Sequence, residues 1–357
     1  MKTRLSNKQK WLNKINLTKD DDMYIGIDAH KRTLHVAFWL NGAPAIDYVM
    51  PADAGKLIKT IKKLRPAIRK IVYEAGPTGY ALARTLQKSN LPANVVAPSK
   101  TPRQAAASSK TDRLDAKKLA EFAAKGLLRN VAIPTKQQEA QRQLTRLREQ
   151  LTDKQRRTKL QIKSFLLQHS IDAQLSRWTK SAIERLRNLN LSEHLKYSLN
   201  TLIEQLLFTA KQIDELEHNI QQMFTQRPLT TKMKHFVTHP GVGPIIATQF
   251  ATEIFNPKRF KDKTQIAKYV GLAPTVHQSG QTLRDGPISK TGRQQLRRNL
   301  IQGAWAWINN DPSAKKTYYK LVHNTGEKNK AVVAMARKLT IHLWKMACDN
   351  KPYIPNN

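Results

Sequence analysis

The sequence predicts an α/β protein with added helices: a mixed-sheet domain, then a long helical segment, then a mainly helical C-terminal domain. Three observations carry this. Short apolar runs alternate with amphipathic helical periods from Met23 to about Pro134. Between Thr135 and Gln226 glycine is absent and apolar residues recur at helical spacing. After Pro228 glycine returns in short motifs between helical runs. The expected divisions are a basic N-terminal extension at 1–22, then 23–135, 136–226 and 227–357.

The first domain reads in order as strands Tyr24–Asp28, Leu34–Leu40 and Ile46–Met50, with Asn41-Gly42 marking a tight hairpin between the last two. Helix Ala52–Leu64, strand Lys70–Glu74, helix Thr78–Ser89, strand Asn94–Ala97 and helix Asp112–Gly126 follow. A doubly wound sheet would also alternate strands and helices, but it would not begin with a three-strand meander. The order is that of a ribonuclease-H-like (RuvC-like) mixed sheet.

Four acids stand out in this frame. Asp28 and Glu74 end apolar strands, where an unpartnered carboxylate is costly to bury. Asp112 and Asp115 open a helix three residues apart, hence on one face. Helix capping explains that pair about as well as metal binding does, and Glu74 has many arginines to pair with. In the predicted sheet, however, the two strands are neighbours and the last helix packs across their edge. Four converging acids would repel one another unless a cation sat among them. Oxygen donors alone favour Mg2+ or Mn2+ over zinc. His30 and His35 lie nearby and are read as strand or loop residues, not ligands.

Composition points to the partner. The chain of 357 residues has 62 Lys+Arg against 26 Asp+Glu, a net charge of +36 spread along its length. A polyanion is needed to neutralise such an excess, and nucleic acid is the expected one. A single cysteine excludes a disulfide framework and a cysteine-rich zinc site, and fits a reducing, cytoplasmic setting. No apolar stretch approaches the roughly 18 residues of a membrane span. No GxxxxGK[ST] phosphate loop is present.

In the helical segment Leu144, Leu147 and Leu151, and again Leu202, Leu206, Ile213, Leu216, Ile220 and Met223, fall on heptad-like spacing. They predict antiparallel or intermolecular helices. Arg146, Arg148, Lys154, Arg156, Arg157, Lys159 and Lys163 make the first helix basic beyond what local acids can pair, suggesting a nucleic-acid-facing surface. Further on, Pro240-Gly241-Val242-Gly243 before an apolar helix is similar to a helix-hairpin-helix turn, whose glycine N–H groups meet phosphate. The same pattern also marks ordinary turns.

Taken jointly these motifs resemble the DEDD transposases of bacterial insertion sequences. The matching segments are Gly26-Ile27-Asp28-Ala29-His30-Lys31, Tyr73-Glu74-Ala75-Gly76-Pro77-Thr78-Gly79-Tyr80 and Lys110-Thr111-Asp112-Arg113-Leu114-Asp115-Ala116. In the C-terminal part they are Pro240-Gly241-Val242-Gly243, Gly271-Leu272-Ala273-Pro274, Gln278-Ser279-Gly280 and Lys290-Thr291-Gly292. The resemblance implies a DNA recombinase that moves its own element, with double-stranded donor and target DNA paired to a structured guide RNA. It implies Mg2+ (or Mn2+) held by Asp28, Glu74, Asp112 and Asp115. It implies attack on the phosphodiester by Ser279, with Ser289 as the fallback. A coiled-coil dimer, assembling to a tetramer on DNA in the bacterial nucleoid, follows from the same resemblance. Arg284, Lys290, Arg293, Arg297 and Arg298, with Gly241 and Gly243, are the expected phosphate contacts. Arg293 departs from the Gly-Asn of many relatives, which leaves its role open. A metal-dependent junction nuclease using water, or a non-catalytic nucleic-acid-binding protein, would share much of this pattern.

Overall fold

The computed structural model describes residues 15–98, 112–223, 229–279 and 282–355. The chain divides into two compact units that meet between Pro134 and Thr135.

The first unit contains strands β1 (Met23–Ala29), β2 (Thr33–Leu40) and β3 (Ala43–Pro51), helix α1 (Ala54–Ile61), β4 (Ile68–Glu74), α2 (Ala81–Lys88), β5 (Ala93–Val96), α3 (Asp112–Ala124) and β6 (Asn130–Val131). The sheet order is β3-β2-β1-β4-β5-β6. The β1–β2 and β2–β3 pairs are antiparallel, and β1–β4 and β4–β5 are parallel. The meander followed by parallel strands is thus present. The short antiparallel edge strand β6 was not predicted. Asn41 and Gly42 both take positive φ, 46° and 84°, as a two-residue turn of the I′ kind requires.

Alternation along β1 and β4 gives the sheet two buried faces. Ile25, Ile27, Ile71 and Tyr73 pack with Leu57 and Ile61 of α1 and Ala83 and Leu86 of α2. Each such side chain contributes about 1.5–3 kcal/mol on burial. On the other face Val72 packs against Leu119 and Phe122 of α3. Gly26 lies directly under that helix: a Cβ there would stand 2.1 Å from the Ala116 carbonyl oxygen and 2.4 Å from the Ala120 nitrogen. The absence of a side chain at position 26 lets α3 lie directly on β1. Asp47 of β3 binds the other side of the helix start, accepting from Arg113 at 2.7 Å and Lys117 at 3.1 Å.

In the second unit α4 (Lys136–Gln168) begins with a capping box, in which Thr135 and Gln138 satisfy each other's backbone N–H groups. It runs antiparallel to α6 (Glu193–Gln222), with α5 (Lys180–Arg187) between them in sequence. Leu151 meets Ile213, Leu216 and Ile220, while Ile162 and Leu166 meet Leu199, Ile203 and Leu206. The heptad residues therefore pair within one chain. Helices α7 (Leu229–Phe236), α8 (Pro244–Ile254) and α9 (Lys263–Val270) lead to a hairpin, β7 (Pro274–Ser279) and β8 (Thr282–Ile288). Helices α10 (Gln294–Asn310), α11 (Pro312–Thr325) and α12 (Lys328–Asp349) complete the chain around Phe236, Phe250, Leu300, Trp307 and Leu339. The sequence assigned no strands to this hairpin, which interrupts a domain predicted to be mainly helical.

Candidate active site

Strand register and helix placement bring Asp28 and Asp112 within reach of one another, while Glu74 and Asp115 lie outside that group of donor atoms. Ile27 pairs with Tyr73 across the parallel β1–β4 ladder, so Asp28 and Glu74 occupy equivalent positions at the two strand ends. Residues two apart share a face. Asp28 therefore follows Gly26, and Glu74 follows Val72, onto the face covered by α3. The first turn of α3 carries Asp112 and Asp115, one turn before the Ala116–Ala120 stretch seated on Gly26. On the opposite face the Tyr73 hydroxyl donates to the Gly79 carbonyl at 2.9 Å and accepts from the Ala83 N–H at 3.3 Å. That contact anchors the turn that follows Glu74.

Two histidines stand among these acids. His30 Nε2 is 3.2 Å from Asp28 Oδ2 and 3.2 Å from Asp112 Oδ2. His35 Nε2 is 3.7 Å from the same Asp112 oxygen, and His35 is the cross-strand partner of Asp28. Asp28, His30 and Asp112 each place a donor atom within 4.8 Å of the others. Burial raises the Asp28 carboxyl above the ordinary aspartate range; His30 pulls it down, and the Asp112 and Asp115 charges push it up again. A desolvated carboxylate facing two more is the environment a divalent cation relieves, and the donor set suits one.

The second unit treats its acids differently. Glu149 of α4 accepts from Arg293 Nε at 3.1 Å and from Gln249, and Glu253 of α8 accepts from Arg146 through both oxygens at 2.9 and 3.1 Å. Asp153 faces Arg298 at 3.3 Å. Arg297 is buried, donating to the Val270 carbonyl at 3.2 Å and the Thr291 carbonyl at 3.0 Å. Gly271 and Gly292, at φ 79° and 71°, interlock beside it, since a Cβ on either would stand 2.1 Å from the other segment's carbonyl. Together these contacts fix the base of the β7–β8 hairpin.

Of the residues singled out for phosphate, Arg293, Arg297 and Arg298 thus hold internal partners, while Lys290 is exposed at φ 51°. Gly241 is buried where a Cβ would strike the Gly303 carbonyl at 2.3 Å; at Gly243 a Cβ would meet nothing within 4 Å. Ser279 ends β7 opposite Thr282, and Arg284 lies opposite His277. The side chains of both Ser279 and Arg284 lie outside the described residues. Ser289 Oγ sits 3.1 Å from Thr291 Oγ1.

Comparison with known proteins decides the family. Residues 25–171 match the DEDD transposase domain of the IS110 type, and residues 233–320 match the domain described as Transposase IS116/IS110/IS902 family. The Sinorhizobium fredii protein y4rJ, provisionally named a transposase, is 31% identical over 77% of this chain and 76% of its own. The chain belongs to the IS110/IS116/IS902 family of transposases. The transposase for insertion sequence element IS1111A of Coxiella burnetii is 24% identical over 99% of this chain and 93% of its own. That for IS1533 of Leptospira borgpetersenii is 27% identical over 79% and 84%. This transposase is a DNA-cleaving and rejoining enzyme, and its acidic strand ends lie inside the matched DEDD domain. No described helix is long and apolar enough to cross a membrane.

Proposed function

We propose that this transposase cuts and rejoins DNA through a phosphoserine link at Ser279, with Mg2+ (or Mn2+) held by Asp28, Glu74, Asp112 and Asp115. The approach of Asp28 and Asp112 around His30, on the sheet face covered by α3, carries the reading. Ser279 Oγ bonds to phosphorus, the bridging P–O bond to the neighbouring nucleotide breaks, and the departing oxygen takes up a proton. A hydroxyl of the incoming strand then attacks the same phosphorus, and Ser279 Oγ leaves and regains its proton. The link conserves bond energy, so no nucleotide cofactor is needed. An ion held by these carboxylates would supply Lewis acidity for the phosphoryl transfer.

The proposal extends to a structured guide RNA that selects donor and target by base pairing. It includes a dimer formed through the α4–α6 pair, assembling further on DNA. Lys290, Arg284 and the open turn at Gly243 are the favoured phosphate contacts. Arg293, Arg297 and Arg298 serve the hairpin base first. The test incubates full-length protein with its element's RNA, Mg2+ and labelled junction DNA, followed by denaturation. A DNA–protein adduct that disappears in Ser279→Ala is expected. Cleavage without an adduct, unaffected by that substitution, would mean water is the nucleophile and would overturn the serine step. DNA binding with no cleavage, unaltered by Asp28→Ala, would overturn the metal-dependent reading.

A further inference from the structure

His30 is one of two side chains in the acid cluster that DEDD chemistry does not account for, and the nearer to the carboxylates. Its Nε2 stands 3.2 Å from an oxygen of Asp28 and 3.2 Å from an oxygen of Asp112, so it bridges β1 and α3. A single ring nitrogen has one proton or one lone pair. It can donate squarely to one of these carboxylates, not to both. The spacing fits a shared ion better. Adjacent donors around a six-coordinate ion with bonds of about 2.1 Å lie about 3.0 Å apart, close to both measured separations. His35, 3.7 Å from the same Asp112 oxygen and edge-on to His30 with ring centroids 6.2 Å apart, steadies the carboxylate from the side.

We propose that His30 is a metal ligand, giving the centre one nitrogen among its oxygens and a preference for Mn2+ over Mg2+. This rests on the metal site of the preceding section. Imidazole raises affinity for transition ions along the Irving–Williams series, whereas Mg2+ favours oxygen donors and water. His30 is half exposed and its ring is not part of a core, so it can turn onto an ion without unpacking the sheet.

The test needs no turnover. Mn2+ is titrated into the full-length protein and its electron spin echo is recorded for nitrogen coupling, with Mg2+ affinity measured in parallel by calorimetry. Wild type should show imidazole nitrogen coupling. His30→Ala should lose it and weaken Mn2+ by about tenfold or more, with Mg2+ affinity nearly unchanged. Asp28→Asn should weaken both ions. Nitrogen coupling that persists in His30→Ala would come from another histidine and overturn the assignment. So would equal Mn2+ affinity with and without His30. If neither ion binds wild type, or Asp28→Asn changes nothing, the acid centre itself fails, an outcome distinct from failure of the His30 inference.

Discussion

Replacing Gly26 by alanine adds one carbon at the point where α3 crosses β1. That carbon would stand 2.1 Å from the Ala116 carbonyl oxygen, 2.4 Å from the Ala120 nitrogen and 3.0 Å from Leu119 Cβ. The first two are backbone atoms of a helix and cannot rotate away. An ordinary carbon–oxygen contact is about 3.3 Å, so α3 must rise by about 1.2 Å. Overpacking of this kind costs about 1–3 kcal/mol. The functional cost is larger than the stability cost. Asp112 lies one turn from Ala116 and travels with the helix, while Asp28 and His30 stay with the sheet. The 3.2 Å contact between His30 and Asp112 would open past 4 Å. A misplacement of about 1 Å in a catalytic constellation can cost on the order of 100-fold in rate. Urea denaturation should therefore show a loss of about 1–3 kcal/mol, and Mn2+ titration a marked loss of affinity in protein that is still folded. A Gly26→Ala protein with wild-type metal affinity would refute the idea that close helix-on-strand contact builds the site.

Two further outcomes follow from the second unit. His239 is buried against Trp307, His342 and Tyr353, and burial lowers its imidazole to about 3, with the His342 charge adding to the effect. The unfolded chain binds that proton near pH 6.5 and the folded one refuses it, so stability falls as pH drops from about 6.5 towards 3; between pH 7 and 5 the loss from His239 alone is about 2 kcal/mol. Denaturation at both values should show a shallower pH slope for His239→Gln, and an unchanged slope would sink the assignment. Arg297→Met removes the donor to the Val270 and Thr291 carbonyls, costing about 1–3 kcal/mol for the buried Val270 carbonyl left unpaired. Hydrogen exchange across 274–288 should speed up, and no change there would show that Arg297 does not hold the hairpin.

Strands β1–β5 were legible because each alternates or runs apolar between clear turn signals. Edge strand β6 has two residues, too few to show a period. The β7–β8 hairpin was hidden by its polar, glycine- and proline-containing sequence, which reads as loop until the two segments pair. The acids were visible because strand-end carboxylates are expensive. His30 was not, since a lone exposed histidine carries no spacing signal and Asp112 reaches it only through the fold. Position 26 is a glycine for the sake of a helix far along the chain, which no local pattern announces. The arginines of the second unit mislead for the same reason. A basic run after a glycine reads as a phosphate grip, but Glu149, Glu253 and Asp153 lie far upstream and become partners only on folding.

The acids at the end of β1 and the start of α3 are partnered differently from Asp47 beside them and from the acids of the second unit. With 62 Lys+Arg for 26 Asp+Glu, an arginine or lysine is available to almost any acid in this chain. Glu149 takes Arg293, Glu253 takes Arg146 and Arg293, and Asp153 takes Arg298 and Arg156, and the buried pairs among them lock helices α4, α8 and α10 together. Asp28 and Asp112 meet histidines instead. A guanidinium is permanently charged and would hold its carboxylate against any entering ion. An imidazole nitrogen can itself ligate an ion, so it can turn from partner to ligand. Where arginine is plentiful and imidazole stands in its place, the acids stay open to a cation. A negative phosphate then has a reason to approach an acidic strand end of a basic protein.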